Sequence, residues 1–155
     1  MANLAERILN AYKIEKYAEI SLLALFLKEE KKCLKNISAK LILESMEHER
    51  RIKEIMEKMG INDSGKIDYE FTKKEIENKN MGEILLLMIN NEIKALNAYL
   101  EILINTNREE INHFFNNVDI EFYSKIKKTV FEEFKHIKKI LEFINKNEKK
   151  LINNY

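Results

Sequence analysis

Proline is absent from the chain, and glycine occurs only three times in 155 residues. Both residues interrupt helices, so their scarcity, together with abundant Leu, Ile, Glu and Lys, favours helix over nearly the whole length. The single cysteine, Cys33, excludes an intrachain disulfide and the paired cysteines of a rubredoxin or zinc-ribbon module. The sequence therefore predicts an all-α protein from a reducing compartment, for which the cytoplasm is the natural location.

An excess of charge of one sign is also missing, because 27 Lys and Arg stand against 26 Asp and Glu without a basic tail or an acidic block. We therefore expect neither nucleic acid nor a membrane surface as a partner. The longest apolar run, around residues 22–27, is far shorter than the roughly 18 residues that a membrane span needs. The first residues carry no export-signal pattern, which again favours a soluble cytoplasmic protein.

Apolar residues recur at alternating spacings of three and four, which predicts four long helices. Ser38 is the expected N-cap of the second helix, and Gly60 its expected end. The crossover contains a short helical piece near 73–78, and an Asn-rich joint with His113 precedes the fourth helix. The predicted helices run from about 3 to 32, from Ser38 to Gly60, from about 81 to 105, and from near 119 to about 147.

The two halves of the chain repeat one another. A shift of 77 residues places Glu15 on Glu92, and a shift of 88 places Glu44 on Glu132 and His48 on His136. Each half is then a helical hairpin with an acidic residue in the apolar stripe of its first helix and a histidine in that of its second. The predicted fold is one domain over 1–155, a pseudo-twofold four-helix bundle with hairpin 1 at about 3–59, a crossover at 60–81, and hairpin 2 at about 82–147.

Ionisable side chains that interrupt the apolar stripes are candidate metal ligands. Burying an unpaired carboxylate costs several kcal/mol, and a shared metal ion would account for all of them together. Oxygen and nitrogen donors suit iron, manganese or zinc, whereas the lack of thiolates argues against iron–sulfur clusters and copper(I). The candidate ligands are Glu15, His48, Glu92, Glu133 and His136.

These five residues are also compatible with roles that need no metal ion. Glu133 and His136 can form a core polar pair satisfied by hydrogen bonds, and a single histidine such as His48 on an apolar face is usually structural. Glu15 and Glu92 would face solvent if the predicted stripes are rotated by one position.

Di-iron and di-manganese bundles take one Glu from each of two helices and a Glu-x-x-His pair from each of the other two. This chain departs from that pattern at Ser45, three residues before His48, where the second pair would have its carboxylate. A serine hydroxyl is a weak neutral ligand, so affinity for a second metal ion should fall. Glu44 and Glu47 flank the inward direction and would replace the missing ligand only if the helix were locally distorted.

Four motifs are distributed over nearly the whole chain. In the first half they are Ala11-x-x-x-Glu15-x-x-Ala18 and Glu44-Ser45-Met46-Glu47-His48, and in the second half they are Glu92-x-x-Ala95-x-x-x-Tyr99 and Glu133-x-x-His136. This set resembles the ferritin-like superfamily, and specifically the rubrerythrin-like di-iron carboxylate proteins without a rubredoxin domain. The resemblance implies that Glu15 and Glu92 are terminal ligands, that each histidine completes the ligand shell of one metal, and that Glu133 bridges the two. Tyr99 matches a tyrosine often found beside such sites.

The resemblance also implies a function: a non-haem di-iron oxidoreductase of rubrerythrin or ferroxidase type that reduces peroxide or dioxygen. It would hold two irons per chain, or one if Ser45 removes the second position, with manganese or zinc as alternatives. Electrons would come from a separate donor protein, and the assembly would be a dimer or a larger homo-oligomer, with helix swapping allowed by the linker at 61–80. The alternative is a non-catalytic metal-binding or structural bundle with a degraded site.

Overall fold

The computed structural model of the protein describes residues 2–28, 32–63, 68–115 and 119–152. Over these ranges the chain forms helices and no β-strand, which confirms the expected all-α class. No helix there is both long enough and apolar enough to cross a bilayer. The helices are α1 Leu4–Lys28, α2 Lys32–Lys58, α3 Tyr69–Glu77, α4 Met81–Asn105, α5 Arg108–Phe114 and α6 Asp119–Ile152.

Asparagine residues begin several of these helices. Asn80 accepts a hydrogen bond from the backbone N–H of Glu83, whose carboxylate in turn accepts one from the backbone N–H of Asn80, at 3.0 and 2.8 Å. This reciprocal arrangement satisfies two backbone donors that the first helical turn leaves unpaired. The same capping box is formed by Asn3 with Glu6 before α1 and by Asn107 with Glu110 before α5.

The prediction that Ser38 caps the second helix is wrong, because α2 begins at Lys32 and Ser38 is buried inside it. Leu34, one turn before Ser38, is fully buried, and packing of that side chain outweighs the local preference of serine for a cap. The predicted end is confirmed. Gly60 has a φ of 69°, and the N–H of Ile61 donates to the carbonyl of Met56 at 2.9 Å, as in a Schellman motif.

The connections hold more helix than the sequence pattern indicates. The short helix of the crossover is present, but it starts earlier than predicted because Asp68 accepts hydrogen bonds from the backbone N–H groups of Glu70 and Phe71. The joint before α6 contains α5, which the sequence pattern did not predict, and the predicted α6 continues to Ile152.

The long helices pack into a bundle in which α1 contacts α2, α4 and the short α3, while α4 contacts α6. Helices α2 and α6 contact each other less extensively. The single domain over 1–155 and its division into two hairpins remain predictions.

Two apolar clusters fill the bundle. Cluster 1 joins the first parts of α1 and α6 and the second parts of α2 and α4 to α5. It includes Ile8, Tyr12, Ile52, Tyr99, Ile111, Phe122 and Ile126. Cluster 2 includes Leu22, Leu25, Leu34, Leu41, Ile84, Leu85, Met88 and Ile140. On each long helix a short segment separates the residues of cluster 1 from those of cluster 2, and the candidate ligands lie in these segments.

Candidate metal centre

The predicted ligands are all buried, each at most 3 % exposed, and they converge from the four long helices. The expectation that these stripes face inward therefore holds, and the rotated alternative for Glu15 and Glu92 does not. The centre lies between the two apolar clusters. Glu15 comes from α1, His48 from α2, Glu92 from α4, and Glu133 and His136 from α6.

Glu133 lies in the middle of this group, with one histidine beside each of its oxygens. Its Oε1 is 2.6 Å from Nδ1 of His48, and its Oε2 is 3.5 Å from Nδ1 of His136. The two imidazole rings are nearly parallel, at an angle of 16° with centroids 5.2 Å apart. One carboxylate therefore lies between histidines from two different helices.

Each histidine also contacts a second buried carboxylate through the same Nδ1 atom. Glu15 Oε1 lies 3.3 Å from Nδ1 of His48, and Nδ1 of His136 forms a hydrogen bond of 2.9 Å with Glu92 Oε2. The group thus has two similar halves, His48 with Glu15 and His136 with Glu92, and Glu133 is common to both.

Ser45 is buried on α2, at the position that corresponds to Glu133 under the shift of 88 residues. The two carboxylates suggested as its replacements make their contacts elsewhere. Glu44 Oε2 lies 2.8 Å from Nε2 of His136, on the edge of the ring away from Glu133. Glu47 is substantially exposed and pairs with Arg50 at 2.7 Å.

Burial and close packing move the pKa values of this group far from their ordinary positions. Burial raises the pKa of Glu15 to about 8 and that of Glu92 to about 7, and the nearby Glu133 carboxylate adds to both effects. Burial alone would lower the histidine values, but the adjacent carboxylates raise the pKa of His48 to about 10 and that of His136 to about 9. Although burial opposes it, the two histidines hold the pKa of Glu133 well below its usual range.

Several polar atoms of the centre have no hydrogen-bond partner within the described part of the chain. They include both oxygens of Glu133, Nδ1 of His48 and Oε1 of Glu15. The short contact between His48 and Glu133 thus lacks the geometry of a hydrogen bond. Buried polar atoms are normally satisfied, so unpartnered nitrogen and oxygen atoms that converge in this way are suited to bind a metal ion together.

A metal ion fits this arrangement. One ligand atom each from His48, Glu133 and His136 can be chosen so that all lie within 4.8 Å of one another, and all three residues are buried. Imidazole nitrogen and carboxylate oxygen together suit zinc, iron or manganese. The buried His48–Glu133–His136 group can therefore hold a metal ion.

Beyond the predicted ligands, the structure adds an outer set of charged residues that sequence reasoning missed. Glu132 Oε2 accepts a hydrogen bond of 3.0 Å from Nε2 of His48 and pairs with Arg51. Partial burial opposes ionisation of Glu132, but Arg51 and His48 hold its pKa below the usual range. Beside the other histidine, His136, Glu44 pairs with Lys139. The sequence feature from which this outer set could have been predicted is the alignment of Glu44 with Glu132 at the shift of 88 residues.

A pocket of about 480 Å³ opens between α2 and α6 and leads to the two histidines. Its position matches the limited contact between these helices. The lining residues are Leu43, Glu44, Glu47, His48, Arg51, Glu132, Lys135, His136 and Lys139.

Tyr99 lies beside the first half of the centre. It is 1 % exposed, and its ring meets that of His48 edge-on at 6.5 Å. Burial and the negative charges of Glu15 and Glu133 raise its pKa well above the ordinary value, so the hydroxyl keeps its proton.

Comparisons with protein-family models, with curated proteins and with solved structures found no match to this chain. The fold and the site by themselves define a helical bundle with a buried histidine–carboxylate group that can hold a metal ion.

Proposed function

We propose that the chain is a ferritin-like, rubrerythrin-type protein that binds two metal ions, and that it acts as a non-haem di-iron oxidoreductase. The observation that carries this proposal is the position of Glu133, whose two unpartnered oxygens face Nδ1 atoms of histidines from two helices. A carboxylate placed in this way fits the role of a bridge between two ions.

Each ion would have its own pair of terminal ligands. Glu15 and His48 would hold one, Glu92 and His136 the other, and Glu133 would contribute to both. The arrangement of donors supports the predicted two-hairpin bundle, because the two terminal carboxylates come from α1 and α4 and the two histidines from α2 and α6. The packing of α1 on α2 and of α4 on α6 is also what two hairpins would give.

A bound, reduced pair of irons would supply two electrons, which with two protons suffice to reduce one hydrogen peroxide to two water molecules. The chain's own residues would set access and charge. The pocket between α2 and α6 would admit a small oxidant, and the two apolar clusters would keep water from both ends of the centre. Because the chain has a single cysteine and thus no rubredoxin-type module, electrons would come from a separate donor protein.

A single-metal protein is the second candidate, and a specific observation favours it. Ser45 leaves the centre one carboxylate short, and the donor atoms of His48, Glu133 and His136 lie close enough to bind one ion together. Two histidines and one carboxylate form a common mononuclear ligand set. In this version the bundle would carry metal for storage, transfer or structure without two-electron chemistry.

Metal content per chain separates the two candidates. The purified protein would be loaded anaerobically with iron(II), freed of loosely bound ions, and measured by plasma mass spectrometry. Close to two irons, with an absorption band that changes on adding peroxide, would support the di-iron oxidoreductase. One iron would favour the mononuclear candidate. No iron would overturn the di-iron oxidoreductase, and no bound metal after loading with zinc as well would overturn both.

A further inference from the structure

The two buried histidines are each held by a carboxylate on the outer edge of the ring. Nε2 of His48 donates a hydrogen bond of 3.0 Å to Glu132 on α6. Nε2 of His136 lies 2.8 Å from Oε2 of Glu44 on α2. The contacts cross between helices: the histidine of α2 meets the carboxylate of α6, and the histidine of α6 meets the carboxylate of α2.

A cation fixes each of these carboxylates in turn. Lys139 donates to both oxygens of Glu44 at 2.7 and 2.9 Å, while Arg51 donates to both oxygens of Glu132, to Oε1 at 3.4 Å. Charge-assisted bonds of this kind are short and directional. Each carboxylate is therefore restrained by a cation as well as by its histidine.

Sequence and structure agree that the two arrangements are equivalent. Glu44 corresponds to Glu132 and His48 to His136 under the same shift of 88 residues. They are not identical, because an arginine supports one carboxylate and a lysine the other. Both lie in the pocket between α2 and α6, where the helices contact each other least among the packed pairs of long helices.

We propose that Glu44 and Glu132 are positioning residues that orient His136 and His48, across the bundle, for metal binding through Nδ1. This proposal rests on the metal-binding function proposed above. A neutral imidazole has one N–H donor and one lone pair. When a carboxylate accepts the Nε2 proton, the lone pair is left on Nδ1, the atom that faces Glu133 in both histidines.

The same geometry assigns Glu44 a role other than the one the sequence suggested for it. Its oxygens contact the outer nitrogen of His136 and the ammonium of Lys139, so they act on a ligand and do not replace the one missing at Ser45. Because each histidine depends on the opposite helix, movement of α2 away from α6 would release both rings together.

Zinc binding followed through the histidine rings tests this proposal. The chain has three histidines, and the third, His113, lies on α5 outside the centre, so it is an internal reference. In ¹⁵N-histidine-labelled protein with zinc, we expect His48 and His136 to show a bound Nδ1 and a protonated Nε2. Affinity is measured in parallel by competition with a chelator.

The variants Glu132→Gln and Glu44→Gln keep the side-chain shape but remove the charge. Loss of such an outer partner typically weakens metal binding about 10- to 100-fold. We expect that loss together with a crossed spectral effect: Glu132→Gln disturbs the Nε2–H signal of His48, and Glu44→Gln disturbs that of His136. The matched control is Glu142→Gln, which removes a half-exposed α6 carboxylate paired with Lys138 and should change neither signal.

The failures are distinguishable. If zinc shifts neither histidine of the wild-type protein, the proposed metal-binding function itself is overturned. If zinc shifts both but the two variants leave affinity and the Nε2–H signals unchanged, or if the metal is bound through Nε2, the positioning role alone is wrong. Circular dichroism of each variant shows whether a change in affinity reflects loss of fold. Where a Gln variant does not fold, Glu132→Asp and Glu44→Asp, which keep the charge, should bind zinc if the proposal holds.

Discussion

One half of the centre lies on α1 and α2 and the other on α4 and α6, and the two halves share most of their parts. Each has a buried glutamate, a buried histidine and an outer carboxylate, but only the second half has a central carboxylate of its own. The first half has Ser45 there, and Nδ1 of its histidine lies 2.6 Å from Glu133, closer than the 3.5 Å found for His136. Ser45 thus takes the place of a second central carboxylate, and both histidines lie beside the same one, Glu133.

Removal of the shared carboxylate should have the largest effect. We expect Glu133→Gln to weaken zinc or iron(II) binding by more than about 100-fold in both halves, beyond the range seen for outer partners. Isothermal titration calorimetry and metal analysis would measure it. Ser45→Ala is the matched control at the equivalent position and should bind metal like the wild type. If Glu133→Gln retained wild-type affinity, Glu133 would not be a shared ligand.

Restoring symmetry should have a smaller effect of the opposite sign. Ser45→Glu adds the missing carboxylate, so we expect metal affinity to rise about tenfold or more, equivalent to roughly 1.4 kcal/mol, with occupancy approaching two ions per chain. In the metal-free protein the same change buries another carboxylate, which should lower the melting temperature. Metal analysis and thermal melts with and without zinc would check both. Higher stability without metal would show that position 45 does not face the centre.

Raising the pH should lower the stability of the metal-free protein through both halves of the centre. A histidine whose pKa rises from 6.5 to about 10, as for His48, contributes stability that is complete below 6.5 and is lost as pH rises through 10. Glu15, raised from 4.5 to about 8, acts in the same direction, since its unfolded form ionises first. We therefore expect the free energy of unfolding to fall from about pH 4.5 to about pH 10, most steeply between about 6.5 and 8, where both groups lose their contribution.

Bound zinc replaces the protons on these ligands, so the zinc-loaded protein should lose less stability over the same range. Melting temperatures would be measured over this pH range with chelator and with zinc. The melting temperature of the metal-free protein should fall by more than about 4 °C further than that of the zinc-loaded protein, since 1 kcal/mol shifts the melting temperature of a chain of this size by about 2–4 °C. Parallel curves would contradict the assignment of raised pKa values to the ligand group.

The smallest expected effect is that of Tyr99→Phe, beside the first half only. The hydroxyl is buried and has no hydrogen-bond partner among the residues described, so its removal should change the free energy of unfolding by less than about 1 kcal/mol. Metal affinity should stay within about threefold, or roughly 0.65 kcal/mol. Urea unfolding and zinc titration would measure both, and a larger loss of affinity would give Tyr99 a direct part in the centre.

The sequence allowed the positions of the buried ionisable residues to be predicted because they share a helical period with strongly apolar neighbours. Glu133 and His136 lie one turn apart between Ile126 and Ile140, which fixes the face they occupy. The start of α2 could not be predicted in this way, since Ser38 is a good local cap and only the tertiary packing of Leu34 extends the helix past it.

The outer residues were harder to predict for a different reason. Arg51 and Lys139 belong to the site through contacts between α2 and α6, and such contacts depend on how the helices are placed, which no single-helix pattern records. Helix α5 was missed because a segment of seven residues is too short for a clear period. Local patterns thus predicted the inner layer of the site, and packing determined the outer one.

The position of the polar centre between two apolar clusters has a consequence for helix alignment. A shift of α6 by one turn, about 5.4 Å along its axis, would move Glu133 out of reach of the histidine of α2 and into apolar side chains. An all-apolar interior would tolerate such sliding, since one leucine or isoleucine contact replaces another. The buried charges therefore fix the position of the four long helices relative to one another along the bundle axis, whether or not a metal ion is bound.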